Sequence, residues 1–300
     1  WQFFGRIDVG EGWFFHGPVP ADTTVENYNF RALLQRAAGF PFSATLDHIG
    51  FWDLRVAVAT SYRQERAFIA GDAAHSHPPY GAFGLNSGIE DVKNLGWKIA
   101  AALQGWGGNA LLDSYSLERQ PIFVETGEDI IAGGIKSDRA FLDRYRSDQN
   151  PEEFQEAWNH LESAGSSRPG AYEPHYEGSP VIMGPPNASC SIHGSHSFTA
   201  RSGHHLSPQQ LSSGANVFEE LGSGFTLIAL GAEEQELEVI QRASQTIRMP
   251  LEIVCDTYEG DRKAYGSRLI MVRPDQFVAW TGDTLPDEPS KLLQKVAGVS

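Results

Sequence analysis

Gly71-Asp72-Ala73-Ala74-His75-Ser76-His77-Pro78-Pro79-Tyr80-Gly81-Ala82-Phe83-Gly84-Leu85-Asn86-Ser87-Gly88 is the most informative stretch of this chain. The apolar run at 67–70 just before it reads as a buried strand. After it, Leu85, Ile89, Val92, Leu95, Ile99 and Leu103 recur at steps of three and four, which predicts a helix with one apolar face. Glu90 and Asp91 early in that helix and Lys98 late suit its dipole. A loop held between such a strand and helix can seat a ligand. Asp72, at the strand end, can accept hydrogen bonds from a polyol. Pro78 and Pro79 stiffen the backbone without offering N–H groups. Gly81 and Gly84 let the main chain approach a flat molecule closely. The helix N-terminus turns free N–H groups and about half a positive charge to the same place. The expected guest is the electron-rich edge of a cofactor.

Working outward, 13–16 reads as a strand that ends at the Gly17-Pro18 turn. Thr23-x-x-Glu26 reads as a capping box that opens a helix running to Ala38 and stopping at Gly39. Strands are expected at 51–59 and 67–70. A helical pattern runs over 110–145 with a break near Pro121, and another over 151–164 with Pro151 in its first turn. The stretch 165–203 is rich in Gly, Pro, Ser and His and reads as a long connection. Beyond it the pattern is strand (225–230), helix (233–244), parallel strand (251–255) and a hairpin of 268–272 with 276–280. The expected class is α/β with α+β elements. Its domains are 1–165, a linker at 166–203, and a small α/β domain at 204–300.

Bulk properties narrow the function. With 41% apolar and 20% charged residues, the 300-residue chain can bury a core. A net charge of −15 argues against nucleic acid and against acidic membrane surfaces. No apolar run approaches the roughly 18 residues of a membrane helix. Two distant cysteines, Cys190 and Cys255, exclude a disulfide framework and point to a reducing, cytoplasmic setting; both thiols read as packed small hydrophobes. The chain opens on Trp1 and its first methionine is Met183, so a truncated N-terminus is expected.

The residues also carry a resemblance. Gly71-Asp72-Ala73-Ala74-His75, Pro78-Pro79, Gly81, Gly84, Asn86, Gly88, Asp91 and Asn94-Leu95-x-Trp97-Lys98 are similar to the second flavin-binding motif of class A flavoprotein monooxygenases, which include phenol and 3-hydroxyphenylpropionate hydroxylases. The likeness continues through Leu111-Leu112-x-x-Tyr115 and Glu118-Arg119-x-Pro121. It implies a para-hydroxybenzoate-hydroxylase-like FAD and substrate fold, of which this chain is the C-terminal part, without the G-x-G-x-x-G unit for the ADP half. The C-terminal region resembles the thioredoxin-like domain of the phenol-hydroxylase branch, here without C-x-x-C. By this resemblance Gly71, Asp72, Pro78, Gly81, Gly84, Leu85 and Asn86 contact FAD. Asp72 holds the ribityl chain, and backbone N–H groups at the Leu85–Asn86 step meet the pyrimidine edge. The implied reaction is hydroxylation of a phenolic substrate with NAD(P)H and O2 through a flavin C4a-hydroperoxide, by an enzyme that forms a homodimer.

Other candidates stand beside this reading. His16, Trp52 and Arg55 are candidate substrate contacts, and the aromatic-rich opening is either plain core or pocket lining. No catalytic acid or base is identifiable. His75 and His77 lack a third metal ligand at suitable spacing, and His75 reads as a hydrogen-bonding residue of the loop. His193, His196, His204 and His205 read as loop histidines rather than a zinc site, so no metal is expected. The rival functions are a non-catalytic dimerisation or binding module, and a flavin oxidase or dehydrogenase.

Overall fold

The computed structural model describes residues 2–10, 12–52, 55–163 and 172–299. The chain divides into two compact units, residues 1–53 and 54–300.

In the first unit, β1 (Phe3–Arg6) and β2 (Trp13–His16) form an antiparallel ribbon with Phe3 opposite His16. Helix α1 (Phe30–Ala38) ends on Gly39, whose φ of +78° closes the last turn and whose N–H donates to the Gln35 carbonyl at 3.0 Å. Its start departs from expectation. Thr24 and Asn27 bond each other in a local turn, the Thr24 N–H donating to Asn27 Oδ1 at 2.8 Å. Asn29 therefore caps the helix instead, accepting from the Ala32 N–H at 3.0 Å. The aromatic opening is not plain core either: Phe3, Phe4, Trp13, Phe14, Phe51 and Trp52 all keep a third or more of their surface exposed.

The second unit opens with short pieces. Of the strand expected at 51–59, Asp53 and Leu54 lie outside the described residues, and only β3 (Ala57–Val58) forms. Next come β4 (Arg63–Gln64) and β5 (Ala67–Phe68), a hairpin turned at Glu65 with φ +53°. The buried strand expected at 67–70 is thus a two-residue ribbon with Ala67 exposed, because among the described residues β4 is its one strand neighbour. After a 3-10 turn at Gly71–Ala73, β6 (His75–Ser76) pairs antiparallel with β3.

Helices follow: α2 (Phe83–Leu103), α3 (Asn109–Glu125), a π-helical segment (Thr126–Ala132), α4 (Gly133–Arg144) and α5 (Pro151–Ser163). Pro121 does not break α3. The irregularity comes later, as a wider π turn. No described helix is long and apolar enough to cross a membrane.

The stretch expected to be a linker contributes β7 (Tyr172–His175) and β8 (Ser191–His193), an antiparallel pair. Tyr176, Val181, Ile182 and Ile192 from this stretch are buried in one cluster with Ala101, Leu111 and Ile122 of the helices and with residues of the C-terminal sheet. That shared core explains why no unit boundary falls near residue 165. The sheet is as the pattern predicts. It contains β9 (Phe225–Leu230), β10 (Leu251–Asp256), β11 (Leu269–Val272) and β12 (Val278–Gly282), in the order β10-β9-β11-β12. β10 runs parallel to β9, and β11 is antiparallel to both its neighbours. Helix α6 (Glu234–Thr246) makes the crossover and α7 (Pro289–Val296) closes the chain. Cys190 is buried as expected, whereas Cys255, on edge strand β10, is exposed.

The end of α7 docks on the start of α3, where the Gly108 N–H donates to the Ala297 carbonyl at 2.8 Å. A Cβ at Gly108 would lie 1.9 Å from the Gly298 carbonyl oxygen, a backbone atom that cannot rotate away. Gly108→Ala is expected to destabilise by roughly 1–3 kcal/mol. An unchanged thermal midpoint would show that the two backbones are not in contact.

Candidate cofactor site

The quoted segment builds an open groove of about 600 Å³, lined by Gly71, Asp72, Gly84, Leu85, Ile89 and Val92 among others. Its geometry follows from three local features. Gly71 has φ +56° and lies against Gly88, where a Cβ would make ordinary contact with the Gly71 Cα at 3.5 Å. Gly81 and Ala82 both take left-handed backbone, φ +64° and +59°, which turns the chain sharply into α2. No side chain caps that helix. In a helix that starts at Phe83, the N–H groups through Leu85 have no intrahelical acceptor. The helix therefore begins inside the expected loop, and Gly84 to Gly88 are helical.

Of the seven residues expected to contact a flavin, Gly71, Asp72, Gly84 and Leu85 line this groove. Pro78 is buried, and its carbonyl accepts the Tyr80 N–H at 2.7 Å. Gly81 supplies the turn, and Asn86 Nδ2 donates to the Ala82 carbonyl at 2.9 Å. Asn86 thus braces the helix start with its side chain.

The expected apolar stripe of α2 is split: Leu95 is buried with Tyr62, Ala74 and Tyr115, and Ile99 packs against that cluster. Leu85, Ile89, Val92 and Leu103 are all more than half exposed, while Ser87, Asp91, Asn94 and Lys98 are buried on the opposite side. The polar face can go inward because α3 and β6 answer the charges of Asp91 and Lys98 on it. Asp91 Oδ1 accepts from Arg119 Nε at 2.8 Å, and its Oδ2 faces His75 Nε2 at 2.7 Å and the Gly71 N–H at 2.9 Å. The His75 ring stacks on Phe123, so its expected structural role holds. Arg119 also reaches Tyr176 Oη at 3.0 Å and the Ser87 carbonyl at 3.2 Å. One carboxylate thereby ties the floor of the groove to α2 and α3.

Glu118 organises a second cluster. Its two oxygens accept from Asn94 (2.6 Å), Lys98 (2.7 Å), Ser179 (2.6 Å) and both terminal nitrogens of Arg273 (2.7 and 3.0 Å). Arg273 is paired in turn with Asp275. Lys98, expected to serve the helix dipole, is fully enclosed; burial lowers its pKa to about 8 against the pull of Glu118. Sequence reading missed Asp275 and Arg273 as members of this cluster. Their one signal was the Arg273-Pro274-Asp275 hairpin turn, which reads as plain turn chemistry.

Burial alone would raise the Asp91 and Glu118 carboxyls. The hydrogen bond from His75 and the charge of Arg119 outweigh it at Asp91, and Arg273 and Lys98 do so at Glu118, so both lie below the usual carboxylate range. The unfolded chain therefore takes up protons first as pH falls. These carboxylates stabilise fully above their ordinary values of 3.8 and 4.5, and that contribution is lost below them. A urea midpoint that drops between about pH 6 and about pH 3 is expected; a flat profile would contradict this linkage.

Of the candidate substrate contacts, His16 and Trp52 meet in the first unit, ring centroids 4.9 Å apart. Arg55 is exposed in the second unit.

Residues 20–127 match the FAD binding domain family. The chain is similar to the 4-methyl-5-nitrocatechol 5-monooxygenase of a Burkholderia species, 31% identical over 96% of this chain and 51% of that protein. It is similar to the tetracenomycin A2 monooxygenase-dioxygenase of Streptomyces glaucescens, 30% identical over 94% of this chain and 50% of that protein. Among solved structures it superposes on the rebeccamycin biosynthetic enzyme RebC with reduced flavin, with a TM-score of 0.76 and 30% identity over 92% of this chain and 54% of that one. The mixed α/β fold is thus one found in flavin-binding proteins. The chain spans about half the length of the curated relatives it matches.

Proposed function

We propose that this chain supplies the ribityl and ring side of an FAD site in an NAD(P)H-dependent monooxygenase that hydroxylates a phenolic or related aromatic compound. One observation carries the reading: the groove combines an accessible carboxylate, Asp72, with an uncapped helix start and an apolar wall. Those features fit the group. Asp72 would accept hydrogen bonds from the ribityl hydroxyls. The free N–H groups and positive dipole end of α2 would hold negative charge on the pyrimidine edge. Leu85, Ile89 and Val92 would exclude water from one side of the ring system. When bound, FAD supplies two-electron redox and oxygen-activating chemistry that no side chain offers. The C-terminal residues 204–300, read as thioredoxin-like, have a packing or interface role, because their one cysteine, Cys255, has no C-x-x-C partner.

The test is isotopic. The full-length protein, given NAD(P)H, 18O2 and phenolic substrates, is expected to place one labelled oxygen in the product. Flavin turnover with hydrogen peroxide and unlabelled product would favour an oxidase instead.

A further inference from the structure

A second cluster, sharing no residue with the groove, surrounds His204. This ring is buried, 3% exposed, and both its nitrogens face carboxylates. Nδ1 lies 2.9 Å from Glu173 Oε1, and Nε2 lies 2.9 Å from Glu177 Oε1. Arg201 NH2 reaches the same Glu173 oxygen at 2.5 Å. The His175 ring stacks on His204, centroids 4.7 Å apart. Backbone bonds fix the position of His204: the Val278 N–H donates to its carbonyl at 2.8 Å, and the Gly203 N–H donates to the Val278 carbonyl at 2.7 Å. Gly203 has φ +91° and lies so tight on the Glu177 backbone that a Cβ there would sit 2.5 Å from the Glu177 nitrogen.

His175 points to a ligand. It is 7% exposed, and its Nε2 faces the His193 carbonyl at 3.2 Å, a contact in which the nitrogen must donate. Nδ1 then carries a lone pair, and this buried atom has no hydrogen-bond partner among the described residues. One ligand atom from each of His175, Glu177 and His204 lies within 4.8 Å of the others.

We propose that His175, Glu177 and His204 bind a first-row divalent cation, Zn2+ in particular, with Glu173 as the positioning residue for His204. Two imidazoles and one carboxylate are a set that four-coordinate Zn2+ takes, with water in the fourth position. Glu173 on Nδ1 is the outer carboxylate that fixes the ring and its tautomer. Ligand bonds of about 2.0–2.2 Å set tetrahedral ligand atoms roughly 3.3 Å apart. Nε2 and Glu177 would part slightly, and the widest pair would close by at most about 1.5 Å. The Glu177 side chain is 26% exposed, which leaves an entry path. Of the histidines His193, His196, His204 and His205, read from the sequence as loop residues, the cluster takes His204 and adds partners from β7 and the turn after it.

The test uses the 300-residue chain, stripped with a chelator and titrated with Co2+ and Zn2+. One equivalent is expected to bind, with the visible d–d absorption of four-coordinate Co2+ and a Zn2+-dependent rise in Tm. Both signals should vanish in His175→Ala and Glu177→Gln and persist in His196→Ala, whose side chain is exposed. Glu173→Gln should weaken binding about 10–100-fold. No stoichiometric binding by the unaltered chain, or undiminished binding in the two ligand variants, overturns the proposal. If His175→Ala does not fold, Glu177→Gln, at the more open ligand position, decides alone.

Discussion

Glu118→Ala is expected to destabilise the protein by about 3–5 kcal/mol, the cost of leaving buried charges without their partner. On the order of ten degrees of Tm should be lost. The reason is geometric. Glu118 is completely buried and is the one acceptor that Lys98 and Arg273 share, with Asn94 and Ser179 completing its shell. Without it, Lys98 keeps the Ser114 hydroxyl and Arg273 keeps Asp275, so one positive charge is left over in a water-free interior. The loss should be nearly independent of salt, since enclosed pairs are poorly screened. Arg242→Ala, which removes an exposed pair with Glu238, is the control and should leave the melting curve in place. An equal effect of the two substitutions would show that Glu118 is not the hub of the cluster.

Asp72→Ala is expected to lower FAD retention about 10–100-fold without loss of fold, from the removal of hydrogen bonds to a charged group worth about 1.5–3 kcal/mol. Asp72 is exposed in the 3-10 turn, so the fold does not depend on its side chain. Flavin bound per protein after gel filtration reads the effect, and thermal melting of the apoprotein checks the fold. Asp72→Asn, which keeps one acceptor, should fall between. Unchanged flavin content in Asp72→Ala would remove Asp72 from the ribityl contact.

What was legible in the sequence follows the range of the forces involved. The C-terminal sheet was read well: 225–230 and 251–255 are apolar runs bounded by turn residues, and Arg273-Pro274-Asp275 marks the hairpin, all local signals. The groove residues were legible because Gly71, Gly81 and Gly84 leave a positional mark where backbone must turn or approach closely. The orientation of α2 was not legible. Periodicity reports that Leu85, Ile89 and Val92 share a face; it does not report which face is buried. That was decided by Glu118 and Arg119, whose side chains meet Asn94, Lys98 and Asp91 only in three dimensions, with Arg273 pairing Glu118 from the far side. The supposed linker failed for the same reason. Its polar, glycine-rich composition hides Tyr176, Val181 and Ile182, which are buried because α3 and the sheet close over them. His204 was visible as one of a crowd of histidines, yet its partners Glu173, His175 and Glu177 lie about thirty residues upstream and reach it through the fold.

The measurement that bears most directly on the central claim is hydrogen exchange of the full-length protein, with FAD and stripped of it. FAD is expected to slow exchange at the Gly71–Ala73 turn and at the amides of the first turn of α2, through Leu85, whose N–H groups have no intrahelical acceptor. Exchange at these amides that is the same with and without FAD, with protection confined to other segments, would contradict it.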